Sequence, residues 1–322
     1  MEFNLNKLKS TKENALSFLS YRSLLGSALF LGLAPLTLTA DGSKQDMSNK
    51  VSLFDADKTT SSLSSNEYSS SKREKYKKQD SSTGFYIGAF GGGGSSNPFE
   101  VTQKGTAFYF EAAGGPLAVD AEGHTSHSSV GFVGLHVGYE WLHRQPSYRQ
   151  LTHAVELEGF YESTTKKANN LINPTDRLPE HQFKDKFPIN MGVALVNWNL
   201  IWNNRRLHGF CPYFGLGMGA ALLSIYHAQA TQVAPPEVGV NHFNSDRHAA
   251  TCVFAAQIKA GARYDVAKYF RLFAEYRFLY LSPSNYTFGS VKYPGHVATS
   301  PWTVDFESIC NNMFALGFDI PL

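Results

Sequence analysis

Charge is scarce in this sequence. Of 322 residues only 17% are Asp, Glu, Lys or Arg, against roughly 25% in ordinary soluble domains. Acid and base nearly cancel, at 27 against 29. The concentrated basic face of a nucleic-acid binder is therefore absent, and no nucleic-acid partner is expected. Cysteine is rarer still. Three residues, Cys211, Cys252 and Cys310, cannot staple a chain of this length. Mean hydropathy is −0.25, which leaves little room for several helical spans of about 20 apolar residues. No HExxH or paired metal-ligand spacing occurs. The glycine run 91–94 is not followed by Lys-Ser/Thr, so it does not read as a phosphate loop. No cofactor is expected. What the chain has in quantity is aromatics, 14%, and 27 glycines. That aromatic content excludes a disordered chain. With low charge, it points to a β-rich protein with an apolar surface.

Three zones follow one another. Residues 1–40 carry Lys7, Lys9, Lys12 and Arg22 ahead of an uncharged stretch, 23–40, with an apolar centre at 24–33 and Ala40 as a plausible −1 residue. The apolar centre is short and Pro35 interrupts the run, which favours a cleaved signal peptide over a retained anchor. Residues 41–83 hold 12 Ser, 8 Lys or Arg and 7 Asp or Glu among 43 residues. They cannot bury enough apolar surface to offset their ordering entropy, so they read as a flexible periplasmic tail. Residues 84–322, with 17 basic and 18 acidic residues, carry the fold.

Apolar residues in this last zone alternate with period two, the mark of half-buried strands. Eight such segments are expected: 84–94, 129–141, 151–163, 187–202, 211–226, 249–266, 270–282 and 304–322. The links between them alternate in length. Those after strands one, three, five and seven hold 34, 23, 22 and 21 residues, whereas 142–150, 203–210 and 267–269 are short. A soluble sandwich has no reason to alternate in this way. A transmembrane β-barrel does, with short periplasmic turns and long extracellular loops. The expected fold is therefore all-β: an eight-stranded antiparallel up-and-down transmembrane β-barrel. A helical reading of 210–226 competes, because residues 207–236 hold no charge. Pro212 and the strict Gly215, Gly217, Gly219 spacing argue for a strand instead.

Lipid offers the backbone no hydrogen bonds, so a spanning sheet must close, apolar outside. Ala260 and Phe314 fall on the expected lipid face. Glu140, Glu156, Glu158, Lys259, Arg263, Glu275 and Arg277 fall on the inner face. Eight strands enclose a bore just wide enough for side chains to fill. These seven charges therefore read as a paired lumen network, with a narrow ion path as the alternative. Aromatics including Trp141, Trp198, Trp202, Tyr264 and Trp302 are expected to form interface girdles.

Four stretches resemble barrel strands of a known family. They are Gly84-Phe85-Tyr86-Ile87-Gly88-Ala89-Phe90-Gly91-Gly92, Val137-Gly138-Tyr139-Glu140-Trp141, Arg263-Tyr264-Asp265 and Phe273-Ala274-Glu275-Tyr276-Arg277. The layout of 84–322 is similar to the eight-stranded outer-membrane barrels of the OmpA, OmpX and Opa type and the surface-antigen families built on them. Such barrels often end in an aromatic residue, whereas this sequence ends Phe318-Asp319-Ile320-Pro321-Leu322.

The expected function is that of a structural, surface-exposed barrel of a Gram-negative outer membrane. Its loops would act as adhesin or surface antigen, and its partners would be outer-membrane lipid, lipopolysaccharide and a surface or host ligand. A narrow porin is the alternative. A lipid-modifying enzyme comes last: His124, Ser126, His127 and Ser128 cluster in the first long loop, but no orienting acid sits at a defined place beside them. No catalytic site is expected. Cys211 and Cys252 belong to opposite ends of the barrel, too far apart to be bridged. Pairing between chains and free thiols both stay open for the three cysteines.

Overall fold

A computed structural model of the protein describes residues 84–142, 149–173, 181–204 and 209–322. The expected signal peptide and the tail lie outside the described residues. Thirteen strands form in chain order: β1 Gly84–Ser96, β2 Glu100–Ala107, β3 Leu117–Thr125, β4 Ser128–Leu142, β5 Arg149–Ile172, β6 Gln182–Asn204, β7 Phe210–Ile225, β8 Gln229–Ala234, β9 Ala249–Ala267, β10 Phe270–Leu281, β11 Ser284–Phe288, β12 Trp302–Phe306 and β13 Ile309–Pro321.

Eight of them close a ring. β1, β4, β5, β6, β7, β9, β10 and β13 each pair antiparallel with the next. β13 returns to β1 in unbroken register from Tyr86↔Pro321 to Ser96↔Asn311. Residues 210–225 are strand β7, paired on both sides, so the helical reading of that stretch fails. The outward residues are apolar. On β4 they run from Val133 to Trp141, nine residues, close to the 9–11 that a tilted strand needs to cross lipid. Leu135 is 67% exposed and Leu316 71%, exposures that lose their cost only against a hydrocarbon neighbour. Tyr139, Trp141, Trp198, Trp202, Tyr264 and Tyr269 stand outward towards the end that holds the short turns and Leu322.

The long links are not loops throughout. They fold into an external cap at the opposite end of the ring. Its sheet runs β11-β12-β2-β3, continues through the extended ends of β5 and β6, and finishes at β8. β5 does not stop at Ser163 but continues to Ile172, and the eighth ring strand starts at Ile309 rather than Val304. The second difference has a simple cause. Trp302, Val304 and Phe306 look continuous with Phe314, Leu316 and Phe318, because all are even-numbered. In β12 the even side chains point into the cap, and in β13 they face outward. Trp302 is accordingly 1% exposed in the cap core, not in an interface girdle. Phe99, Phe187, Phe243, Tyr286, Phe288 and Phe306 surround that core, with ring centroids 4.6–5.1 Å apart at the closest pairs.

Facing makes a direct test. Ala260→Arg places a charge on the outward face and is expected to lower stability in vesicles by about 2–4 kcal/mol near the midplane. Ala260→Leu should be near neutral. Equal denaturant midpoints for the two variants would refute the assigned facing.

Candidate functional site

The lumen splits into a charged half near the short turns and a mainly apolar half beneath the cap, in which Asn311 donates to Glu162. All seven expected charges meet in the first half, each carried inward by strand alternation. Glu140 accepts from Arg263, and from Arg271 at 2.8 Å. Lys259 pairs with Glu156, and with Glu158 at 3.2 Å. Arg277 donates to Glu158 and to Glu275, each at 2.5 Å. Amides complete the carboxylates: Asn197 donates to Glu156 and Glu158, and Gln257 to Glu158. Buried carboxylates without such partners would each cost several kcal/mol, roughly.

Sequence reading left six participants out of the network. Arg271 joins Glu140 to Asp265, His136 faces Asp319 at 2.7 Å, Tyr86 donates to Glu156 at 2.9 Å, and Tyr213 donates to Glu275 at 2.6 Å. Their even or odd position shared with the inward charges was the available signal. Glycines make the room. A Cβ on Gly217 would lie 1.9 Å from Asn197 Oδ1, and one on Gly138 would lie 2.3 Å from the Tyr86 ring. What remains open beside Tyr86, His136 and Lys259 is a cavity of about 20 Å³, room for about one water.

The network does not fill the whole bore. The Arg277 guanidinium lies 4.0 Å from the Phe90 ring centroid, with Phe132 and Phe160 each at 5.9 Å. Beyond this aromatic collar Met191, Val193, Leu279 and Met313 are buried, and they merge with the cap core. His136, Glu156 and Glu158 bring three ligand atoms within 4.8 Å. The oxygens of Glu156 and Glu158 already accept from Lys259, Arg277 and the amides, while His136 Nδ1 has no hydrogen-bond partner among the described residues.

The first-loop serines are held by hydrogen bonds to β5. The Ser126 hydroxyl donates to the Lys167 carbonyl at 3.3 Å, and Ser128 shares a bond with Thr164 at 3.0 Å. The groove they line, about 510 Å³, is bordered by serines, threonines, His127 and Lys167, with no carboxylate. The three cysteines are free thiols. Cys211 is buried inside the ring, which removes it from pairing between chains. Cys252 faces outward on β9, and Cys310 is half-buried on β13.

Three titratable groups stand out in the cap. Burial lowers Lys166 to about 8 against the pull of Glu162, while its ammonium donates to the carbonyls of Ser96 and Asn97. Burial between the Phe183 and Trp302 rings holds His242 below the ordinary imidazole value. Asp185 is fully buried on β6, and neither of its oxygens has a hydrogen-bond partner among the described residues. Burial raises its carboxyl well above the usual 3.8.

No known family profile matches the sequence, and no curated protein matches it. Among solved structures it is similar to Neisserial surface protein A, at 13% identity over 74% of this chain and 97% of that one, with a TM-score of 0.28. It is also similar to the outer-membrane protease OmpT from Escherichia coli, at 9% identity over 75% and 99%, TM-score 0.23. A Pseudomonas aeruginosa FadL homologue matches at 7% identity over 73% and 90%, TM-score 0.18. The barrel itself rests on the closed ring of paired strands, not on these likenesses.

Two outcomes test the site. Glu158→Gln leaves Lys259 and Arg277 short of a carboxylate, and should cost about 3–5 kcal/mol. An unchanged urea midpoint would refute the network. The folded state holds the Asp185 proton at pH values where the unfolded chain has lost it. Stability should therefore fall as pH rises from about 3.8 through the raised folded value. Asp185→Asn should remove that slope and raise stability at pH 7. An unaltered pH profile would show that Asp185 ionises freely in the fold.

Proposed function

We propose that the chain is an outer-membrane barrel of a Gram-negative envelope that works through its folded external cap, as a surface-contact protein of adhesin or antigen type. Residues 1–40 serve as its cleaved export signal. Membrane lipid is its first partner, with lipopolysaccharide on the outer side. One observation carries the reading. At the tip of the β2–β3 hairpin Phe108, Tyr109 and Phe110 stand in the open, Phe110 with 86% of its surface exposed. The tip is ordered by backbone hydrogen bonds: Phe108 N–H donates to Ala298 O of the 289–301 loop at 2.8 Å, and Gly114 closes the 3-10 turn in the left-handed region. These three aromatics lie outside the ring strands and outside the buried core of the cap. They suit contact with another surface, where aromatic anchors contribute most.

The porin alternative has less support, because charged groups, the aromatic collar and the cap core occupy the bore in succession. An enzymatic role has less support, since Ser126 and Ser128 bond to a carbonyl and to Thr164 rather than to a base. In whole cells displaying the protein, Phe110→Cys in a background free of the native cysteines should react with a membrane-impermeant maleimide. Serine at positions 108, 109 and 110 together should abolish most of the adhesion that the protein confers on host-cell monolayers. Stable conductance steps in planar bilayers, with adhesion unchanged in the triple variant, would favour the channel instead.

A further inference from the structure

The cap sheet is not closed. Its two end strands are β8 and β11, and the loops that follow them, 235–248 and 289–301, meet across the gap. Gly289 N–H donates to Asp246 O at 2.8 Å, and Lys292 N–H donates to Asn244 Oδ1 at 2.7 Å. At this seam Glu237 and His242 from the first loop face His296 from the second. The Glu237 Oε2 atom lies 3.3 Å from His242 Nε2 and 3.1 Å from His296 Nε2.

The far nitrogen of each ring fixes its tautomer. His242 Nδ1 meets the Ala230 carbonyl at 3.2 Å, and His296 Nδ1 meets the Val297 carbonyl at 2.7 Å. A carbonyl only accepts, so each Nδ1 carries a proton, and in its neutral form each ring turns a lone pair at Nε2 towards Glu237. A carboxylate also only accepts. Three lone pairs thus converge with no proton between them. The three ligand atoms lie within 4.8 Å of one another, and a metal ion between them would take all three lone pairs. A tetrahedral ion with bonds of about 2.0–2.2 Å holds its ligands about 3.3–3.6 Å apart, close to the carboxylate–imidazole separations already present. Nδ1 bound to a backbone carbonyl is also the usual support of a ligating histidine.

We propose that Glu237, His242 and His296 form a binding site for a divalent transition-metal ion of the zinc class, which clips the third external loop to the fourth. Two imidazoles and one carboxylate are borderline donors and select such an ion over Ca²⁺ or Mg²⁺. Glu237 and His296 keep side-chain exposures of 32% and 18%, so the ion has a route in from solvent. The site stands whatever the cap contacts, because none of its residues belongs to the aromatic tip.

The full chain, refolded in detergent and stripped with chelator, is titrated with Zn²⁺ against a chromophoric competitor and with Co²⁺ by absorption. One equivalent should bind, Co²⁺ should give the intense visible bands of a tetrahedral site, and Ca²⁺ should not compete. Zn²⁺ should also protect residues 235–248 from protease. His242→Ala and His296→Ala should each weaken Zn²⁺ binding by at least about a hundredfold, above the 10–100-fold typical of losing a supporting residue. Glu237→Gln, at a more exposed position, tests the site in a variant whose barrel fold is checked by its heat-modifiable gel mobility. His127→Ala, outside the cluster, should leave affinity unchanged. No stoichiometric binding, or equal losses in His127→Ala and His296→Ala, would overturn the proposal.

Discussion

The whole molecule depends on the seam between β1 and β13. In hydrocarbon each unpaired backbone group costs several kcal/mol, roughly, and no water is there to take its place. An eight-stranded sheet with its two edges open would therefore be untenable in lipid. Eleven residue pairs from Tyr86↔Pro321 to Ser96↔Asn311 remove those edges. Once the ring is closed, the outward face has no choice but to be apolar, and the inward face becomes a narrow space to be filled.

Filling that space sets the second rule, complementarity between small and large residues on facing strands. Gly217 lies where Asn197 crosses, Gly138 where Tyr86 crosses, and Gly88 where His136 meets Asp319. Long polar side chains reach the axis only because a neighbouring strand gives way. The charges they carry are then so enclosed that each must meet its partner in place. This is why Arg277 is bonded by two carboxylates and roofed by Phe90. Specific charge pairing near the short turns and apolar packing beneath the cap divide one bore between two kinds of cohesion.

Facing was legible because alternation is a local property. Each of Lys259, Arg263, Glu275 and Arg277 could be placed inward from its parity alone, and parity would equally have found Arg271 and Asp319. What could not be read was the fate of the long links. Their strands are short, such as Ser284–Phe288 and Gln229–Ala234, and pair with partners far away in sequence, as Val304 does with Gln103. No short-range pattern encodes such pairing. Trp302 misled for a related reason: an aromatic near the start of a strand looks the same whether it meets an interface or a core. The convergence of His242 and His296 was invisible too, since 54 residues separate them and only the cap brings their loops together.

The cap poses the edge problem again in water, where it has a different solution. Its sheet ends at β8 and β11 without a ladder between them. Solvent can satisfy those edges, so closure is not compulsory as it is in lipid; yet an exposed edge invites pairing with other chains. Here the two following loops cover the gap. Asn241 takes the role of a missing strand residue: its side chain accepts from Ala230 N–H and donates to Ala228 O, while its own N–H donates to the Tyr293 hydroxyl. Arg247 adds bonds to the carbonyls of His227 and Ala228. The edge of β8 is thus masked by side chains rather than by a strand. Side-chain closure is weaker and more selective than a backbone ladder, because it can be tightened or released by whatever binds among those side chains. A barrel that holds its long links in one shape, without extending its ring, has in this seam the place where that shape can be controlled.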